Sequence, residues 1–174
     1  MFADPESNVR QFGLEHNMYV ADLGAGTGAY SIAAAHMVMG GRVYAIEVQK
    51  DLLEKIRTEA VKQHLSNIEC IWGNIENPKG TKLRDHAVDA VIASNVLFQV
   101  EDRDGFIKEI KRILKPEGKV LIIDWSDSFG GMGPKGDSVI SESKAKELFE
   151  KHGFTFDKDI STGAHHYGMI LKKT

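Results

Sequence analysis

The sequence predicts an α/β domain built on a mostly parallel sheet with helices on both faces, and three observations carry that prediction. Strand-like and helix-like segments alternate along the chain with turn signals between them. Val20 to Gly28 (V-A-D-L-G-A-G-T-G) reads as a buried strand running straight into a glycine turn before an alanine-rich helix. Arg42 to Glu47 (R-V-Y-A-I-E) reads as a second strand at the distance a βαβ unit requires, and it ends in a carboxylate.

The elements follow in order. Asp4 as N-cap, Pro5 at the first helical position and Gly13 as a stop predict a short opening helix that docks through Val9, Phe12 and Leu14. Strands at 18–23 and 42–47 flank a helix from Thr27 to about Met39. Leu52, Leu53, Ile56 and Ala60 share one face of the next helix, and strands at 68–72 and 88–94 come after it. Phe106, Ile107, Ile110, Ile113 and Leu114 form the inward stripe of a later helix, which Pro116 and Gly118 end before a strand at 119–124. Ser141 caps a last helix, Glu142 to His152, that stops at Gly153. Strands near 154–160 and 165–172, joined by Ser161 to Ala164, close the chain.

Composition bounds the function classes. A chain of 174 residues with 42% hydrophobic content has the size of one compact domain, expected to span 1–174. A formal charge of -3, with lysines interspersed among glutamates, gives no global basic field, so nucleic acid is not the default partner. The one cysteine, Cys70, rules out an intramolecular disulfide and suits a reducing compartment. No apolar run approaches a membrane span and no secretory leader is visible, so a cytoplasmic location is expected. Cys70 and the seven histidines show no zinc spacing, so no metal is expected. Oligomeric state is left open.

Gly24, Gly26 and Gly28 recur every second residue, which a turn wrapped closely over a small molecule needs. This G-x-G-x-G differs from the dinucleotide fingerprint G-x-G-x-x-G and points away from NAD. Glu47, about twenty residues past the glycines, stands where an acidic side chain can accept the ribose hydroxyls of an adenosine.

D-L-G-A-G-T-G followed by V-Y-A-I-E-V resembles the first two motifs of class I S-adenosylmethionine-dependent methyltransferases, particularly the small ubiquinone/menaquinone methyltransferase-like enzymes. The likeness continues through W-G-N-I-E (Trp72 to Glu76), V-D-A-V-I-A-S-N-V-L (Val88 to Leu97) and R-I-L-K-P-E-G-K-V-L-I-I-D (Arg112 to Asp124). It implies a Rossmann-like, seven-stranded sheet of order 3-2-1-4-5-7-6 with the last strand antiparallel. It also implies S-adenosylmethionine as cofactor, methyl transfer as the reaction and S-adenosylhomocysteine as product.

Carried over by motif position, the resemblance places Gly24, Ala25, Gly26 and Gly28 at the methionine portion and ribose, with Asp22 orienting the turn or the methionine amino group. Glu47 takes the ribose hydroxyls, Val48 and Gln49 flank the adenine, Asn74 and Ile75 meet its amine and face, and Ser94 and Asn95 close the methionine end. Relatives commonly have aspartate where this chain has Asn74, whose amide oxygen still accepts a hydrogen bond. Larger relatives carry more helix at the amino end, so 1–17 is expected as a short cover, with Phe2, Asn8 and Phe12 over the cofactor or the helix simply docked.

Substrate recognition is expected at the carboxyl edge of the sheet. Candidate lining residues are Tyr30 after the glycine turn, Phe98 after the fourth strand, and Trp125 and Phe129 in the long segment 125–140, which exceeds an ordinary connection and reads as a substrate loop. His166, Tyr167 and Asp124 are the candidate catalytic groups, and strand alternation sends His166 to the side opposite its neighbours. A small-molecule or lipid-like acceptor is favoured; an RNA or protein methyltransferase, or a homologue that binds the cofactor without catalysis, is the alternative.

Overall fold

The computed structural model describes residues 3–174. Its sheet has seven strands in the order β3-β2-β1-β4-β5-β7-β6. In chain order the elements are α1 (Pro5–Phe12), β1 (Tyr19–Leu23), α2 (Ala29–Met37), β2 (Arg42–Glu47), α3 (Lys50–Lys62), β3 (Ile68–Trp72), β4 (Val88–Ser94), α4 (Arg103–Ile113), β5 (Leu114–Trp125), α5 (Glu142–Lys151), β6 (Phe154–Ile160) and β7 (His166–Lys173), with a 3-10 turn at Gly136–Ser138. β7 runs antiparallel to both β5 and β6, and every other pairing is parallel.

Alternation along the strands feeds two apolar layers. On one face, Val20, Val43, Ile92, Leu121 and Ile170 pack beneath α1 and α2, which contribute Val9, Phe12, Ala34 and Ala35. On the other, Ala21, Leu23, Val91, Ile122 and Met169 meet Phe106, Ile110 and Phe149 of α4 and α5. α2 is buried through Ser31 to Ala35, so its small side chains let it lie close on the sheet. Asp4 caps α1 by accepting from the Glu6 amide, Gly13 ends it with φ +73, and Val9, Phe12 and Leu14 are buried as docking residues. Phe2 lies outside the described residues. Phe12 sits in the core layer and does not cover the crevice.

Two boundaries differ from the sequence reading. The helix with the Phe106 stripe ends at Ile113, and Leu114 is the first residue of β5. Pro116 lacks an N–H and holds Lys115 extended, so the helix has to stop before it. The proline-glycine segment is a bulge within the strand: Val88 faces Leu114, the next matched pair is Ala90 with Lys119, and Glu117 takes a positive φ of 63°. The β3–β4 connection, 73–87, holds turns and no helix. It is fastened to α4 instead, where Glu109 accepts from Thr81 Oγ1 at 2.7 Å and Arg112 donates to the Leu83 carbonyl at 2.8 Å.

The carboxyl ends of β1, β2, β4 and β5 therefore deliver Asp22, Glu47, Ser94 and Asp124 to one edge of the sheet, where β1 and β4 diverge to opposite neighbours.

Candidate functional site

The turn after β1 is fixed from both sides. The Gly24 and Ala25 amides donate to the Ile46 carbonyl at 2.9 and 3.0 Å, tying the turn to the end of β2. A Cβ on Gly24 would stand 3.0 Å from Val96, and one on Gly28 would stand 2.6 Å from Ile56 of α3. At Gly26 the nearest atom among the described residues is the Gly24 carbonyl oxygen at 3.9 Å, so there is room for a ligand over this peptide. All three have positive φ.

Glu47 points into that turn. It is 7% exposed; its Oε2 accepts from the Gly26 amide at 2.9 Å, and its Oε1 accepts from the Val48 and Gln49 amides at 2.9 and 3.0 Å. A carboxylate has about four lone-pair sites. Among the described residues three are used, which leaves the fourth, on Oε2, open to a ligand hydroxyl.

Asp22 is buried behind the turn, with Ser31 Oγ donating to its Oδ2 at 2.6 Å. Burial pushes its carboxyl up to about 6 against the lowering effect of the Ser31 bonds, and the neighbouring Glu47 charge adds to the rise. The sequence reading did not single out Ser31; its signal was one hydroxyl between Tyr30 and the apolar run I-A-A-A.

Two adjoining hollows open at this edge. The first, of about 280 Å³, is lined by Glu47, Val48, Gln49, Leu52, Asn74 and Ile75 among others. The second, of about 460 Å³, meets Asp22, Tyr30, Ser94, Trp125, Met132 and His166, with Ala3 and Pro5 at its rim. Gly24, Gly26, Asn95 and Gln99 line both. Of the residues assigned by motif position, Glu47, Val48, Gln49, Asn74 and Ile75 fall around the first hollow and Asp22, Ala25 and Ser94 around the second, whereas Gly28 lines neither and packs against Ile56 of α3. Asn74 turns its Oδ1 onto the Glu76 amide at 3.0 Å, which shapes the rim.

Among the lining candidates, Tyr30 and Trp125 face the second hollow. The Tyr30 hydroxyl accepts from Asn8 Nδ2 at 2.9 Å, so buried Asn8 reaches the crevice through it; burial raises the phenol above its ordinary range. Phe98 and Phe129 do not line either hollow. Phe129 stacks on His165 at 4.1 Å between ring centroids, and His165 Nδ1 lies 2.8 Å from Asp127 Oδ1, so that ring is spent on the outer side of the loop. Met132, unremarked in the sequence, takes the inner place; nothing in its neighbours' spacing marks it.

The three catalytic candidates separate. His166 enters the second hollow, 4.3 Å from Trp125 by ring centroids, with Nε2 3.1 Å from Asn95 Oδ1 and Nδ1 3.3 Å from the Ala164 carbonyl oxygen. Burial lowers its pKa, which favours the neutral ring, and a neutral ring has one nitrogen without a proton. Tyr167 faces the opposite layer among the α4 and α5 side chains and lines neither hollow, as alternation requires. Burial and the nearby Asp124 and Glu142 charges hold its phenol far above the ordinary range. Asp124 is 1% exposed and accepts from the Trp125 amide at 2.8 Å and the Phe98 amide at 3.2 Å; it joins the exits of β4 and β5 and does not meet the crevice. Burial raises its carboxyl to about 6.

Comparison with known proteins follows the same lines. A family model described as a methyltransferase domain matches residues 14–166. The chain is 28% identical over 122 residues to the demethylmenaquinone methyltransferase of Geobacillus sp. strain WCH70, covering 70% of this chain and 51% of that protein. It is 30% identical over 119 residues to a ubiquinone/menaquinone biosynthesis C-methyltransferase of Haemophilus ducreyi, covering 66% of this chain and 44% of that one. The chain spans about half the length of these curated relatives. Among solved structures, a SAM dependent methyltransferase from Aquifex aeolicus matches with a TM-score of 0.88 at 28% identity, over 99% of this chain and 91% of that one. The cyclase SpnF, at 16% identity and a TM-score of 0.82 over 97% and 79% of the two chains, shares the fold.

Proposed function

The chain belongs to the class I S-adenosylmethionine-dependent methyltransferase family and is similar to its ubiquinone/menaquinone-type members, and from that premise we propose that it transfers a methyl group to a small, ring-bearing acceptor seated in the second hollow. The observation that carries this reading is the meeting of the two hollows over Gly24, Gly26, Asn95 and Gln99. One hollow suits a nucleoside, and the other offers Tyr30, Trp125, Met132 and His166 to a flat molecule.

The residues present fit the cofactor. Glu47 keeps one lone pair for a ribose hydroxyl, Val48, Leu52 and Ile75 bound a slot for adenine, and the Gly26 peptide leaves room where a side chain would fill the space. When bound, S-adenosylmethionine supplies a methyl group made electrophilic by a positively charged sulfur. Asp22 and the Ser94–Asn95 segment hold the methionine end. Tyr30, Trp125 and Met132 orient the acceptor and keep water out, and alignment of this kind is worth about 7 to 11 kcal/mol of barrier. His166 takes the proton when the nucleophile arrives protonated. The formal charge of -3 supports a small acceptor over nucleic acid.

Calorimetry is expected to show S-adenosylhomocysteine binding that NADH does not displace; tight NADH binding without the sulfur nucleoside overturns the assignment. Transfer of labelled methyl into fractionated extract is expected in the small-molecule fraction, and label confined to RNA or protein rejects the acceptor class.

Two further outcomes follow from the site. Charged Asp22 suits an ammonium group, and its carboxyl protonates near pH 6. Affinity for S-adenosylhomocysteine should therefore fall as the pH drops through about 6 and hold steady above it, whereas Asp22→Asn should flatten the profile. His166→Ala should lower kcat by about 10² to 10⁴ while leaving that affinity within about twofold; unchanged turnover dismisses His166 as the base.

A further inference from the structure

Trp72 is the one large residue of the W-G-N-I-E segment that the site has not used. It ends β3 at the sheet's edge, half exposed, and lines neither hollow. Its register partner across the ladder is Glu47. The indole Nε1 donates to the Val48 carbonyl at 2.9 Å. Lys50 Nζ stands 4.2 Å and Lys82 Nζ 5.1 Å from the ring, an arrangement that holds the indole in place by cation attraction to its face.

The Val48 carbonyl belongs to the peptide whose N–H is that of Gln49. The amides of Val48 and Gln49 are the two donors that occupy Glu47 Oε1, and their engagement leaves Oε2 turned toward Gly26 with its free lone pair. An indole has one donor and no acceptor, so the direction of the Trp72 bond is unambiguous. Val48 is itself 52% exposed and gains no anchorage from the core. The indole bond holds this peptide from its carbonyl side, opposite the Gln49 N–H that Glu47 accepts at the start of α3.

We propose that Trp72 is a positioning residue for cofactor recognition: by pinning the Val48 carbonyl it sets the plane of the peptide whose Gln49 amide, with the Val48 amide, aims Glu47 at the ribose hydroxyls. This rests on the reading of Glu47 as the ribose acceptor. It predicts that Trp72 matters only for ligands that carry those hydroxyls.

The test uses the full chain and displacement of labelled S-adenosylhomocysteine by adenosine and by 2′,3′-dideoxyadenosine. Trp72→Phe keeps the ring and removes the donor. Adenosine affinity should fall about three- to tenfold, the range expected for one lost hydrogen bond, while dideoxyadenosine affinity stays the same. Equal loss for both ligands means a general loosening and overturns the proposal, as does no loss for either. Should the variant fail to fold, the wild-type indole N–H resonance of Trp72 replaces it, identified in a Trp125→Phe protein that leaves Trp72 as the sole tryptophan. That resonance should shift on titration with adenosine and stay still with dideoxyadenosine; any other pattern overturns the proposal. Failure of wild-type protein to bind S-adenosylhomocysteine at all would instead sink the cofactor reading, and this inference with it.

Discussion

Glu47→Ala is expected to weaken S-adenosylhomocysteine binding by about a hundredfold or more, measured by calorimetry. Its carboxylate is the meeting point of the glycine turn and the β2 exit, and the proposed ligand contact falls on the same group. A hydrogen bond to a charged acceptor is worth about 1.5 to 3 kcal/mol, so the ligand bond alone accounts for at least tenfold. The substitution also strips the amides of Gly26, Val48 and Gln49 of their acceptor and frees the turn whose shape the cofactor reads. The two apolar layers are built from other side chains, so the fold should survive: near-ultraviolet dichroism should match the wild type. Near-normal affinity in a folded Glu47→Ala protein would remove the basis for placing the nucleoside in the first hollow.

Gly28→Ala is expected to be the most costly single methyl that can be added to the turn. The residue has φ +83 and its new Cβ would stand 2.6 Å from Ile56 Cγ1 and 3.2 Å from Cδ1, both fully buried. Backbone strain and overpacking each cost about 1 to 3 kcal/mol, so about 3 kcal/mol is lost in all. For a chain of this length that lowers Tm by roughly 6 to 12 °C. Gly26→Ala is the control. Its Cβ meets nothing nearer than 3.9 Å, leaving about 1 to 2 kcal/mol from its positive φ, but the methyl enters the space a ligand needs. Stability and affinity should thus separate: Gly28→Ala costs mainly stability, Gly26→Ala mainly binding. Urea unfolding showing the two variants equally stable would refute the packing argument for Gly28.

Where local chemistry and tertiary packing agree, the sequence was legible. Asp4, Pro5 and Gly13 bound α1 because capping is a local matter, and Ser141 starts α5 by accepting from the Lys144 amide for the same reason. The turn glycines were readable because only glycine takes these backbone angles without cost. The strand order came from family likeness; nothing in hydrophobic alternation states which strands are neighbours. What eluded reading was the part decided by distant partners. Leu114 fits the helical stripe perfectly well by period, yet it belongs to β5, since the proline two residues on commits the chain to extension. Asp124 looked like a catalytic carboxylate at a strand end until its oxygens were found engaged with the amides of Trp125 and Phe98. Phe129 and Met132 lie in one loop with equal claim to the crevice, and the glycine pair between them lets the chain reverse, so that Met132 faces inward and Phe129 stacks on His165.

The shared floor of Gly24, Gly26, Asn95 and Gln99 has a kinetic corollary. Two molecules resting on the same four residues cannot associate independently: whichever arrives first finishes part of the surface offered to the second. With the cofactor proposed for the first hollow and the acceptor for the second, turnover should follow a compulsory sequence, cofactor on first and spent nucleoside off last, and the demethylated cofactor should inhibit competitively against the methyl donor alone.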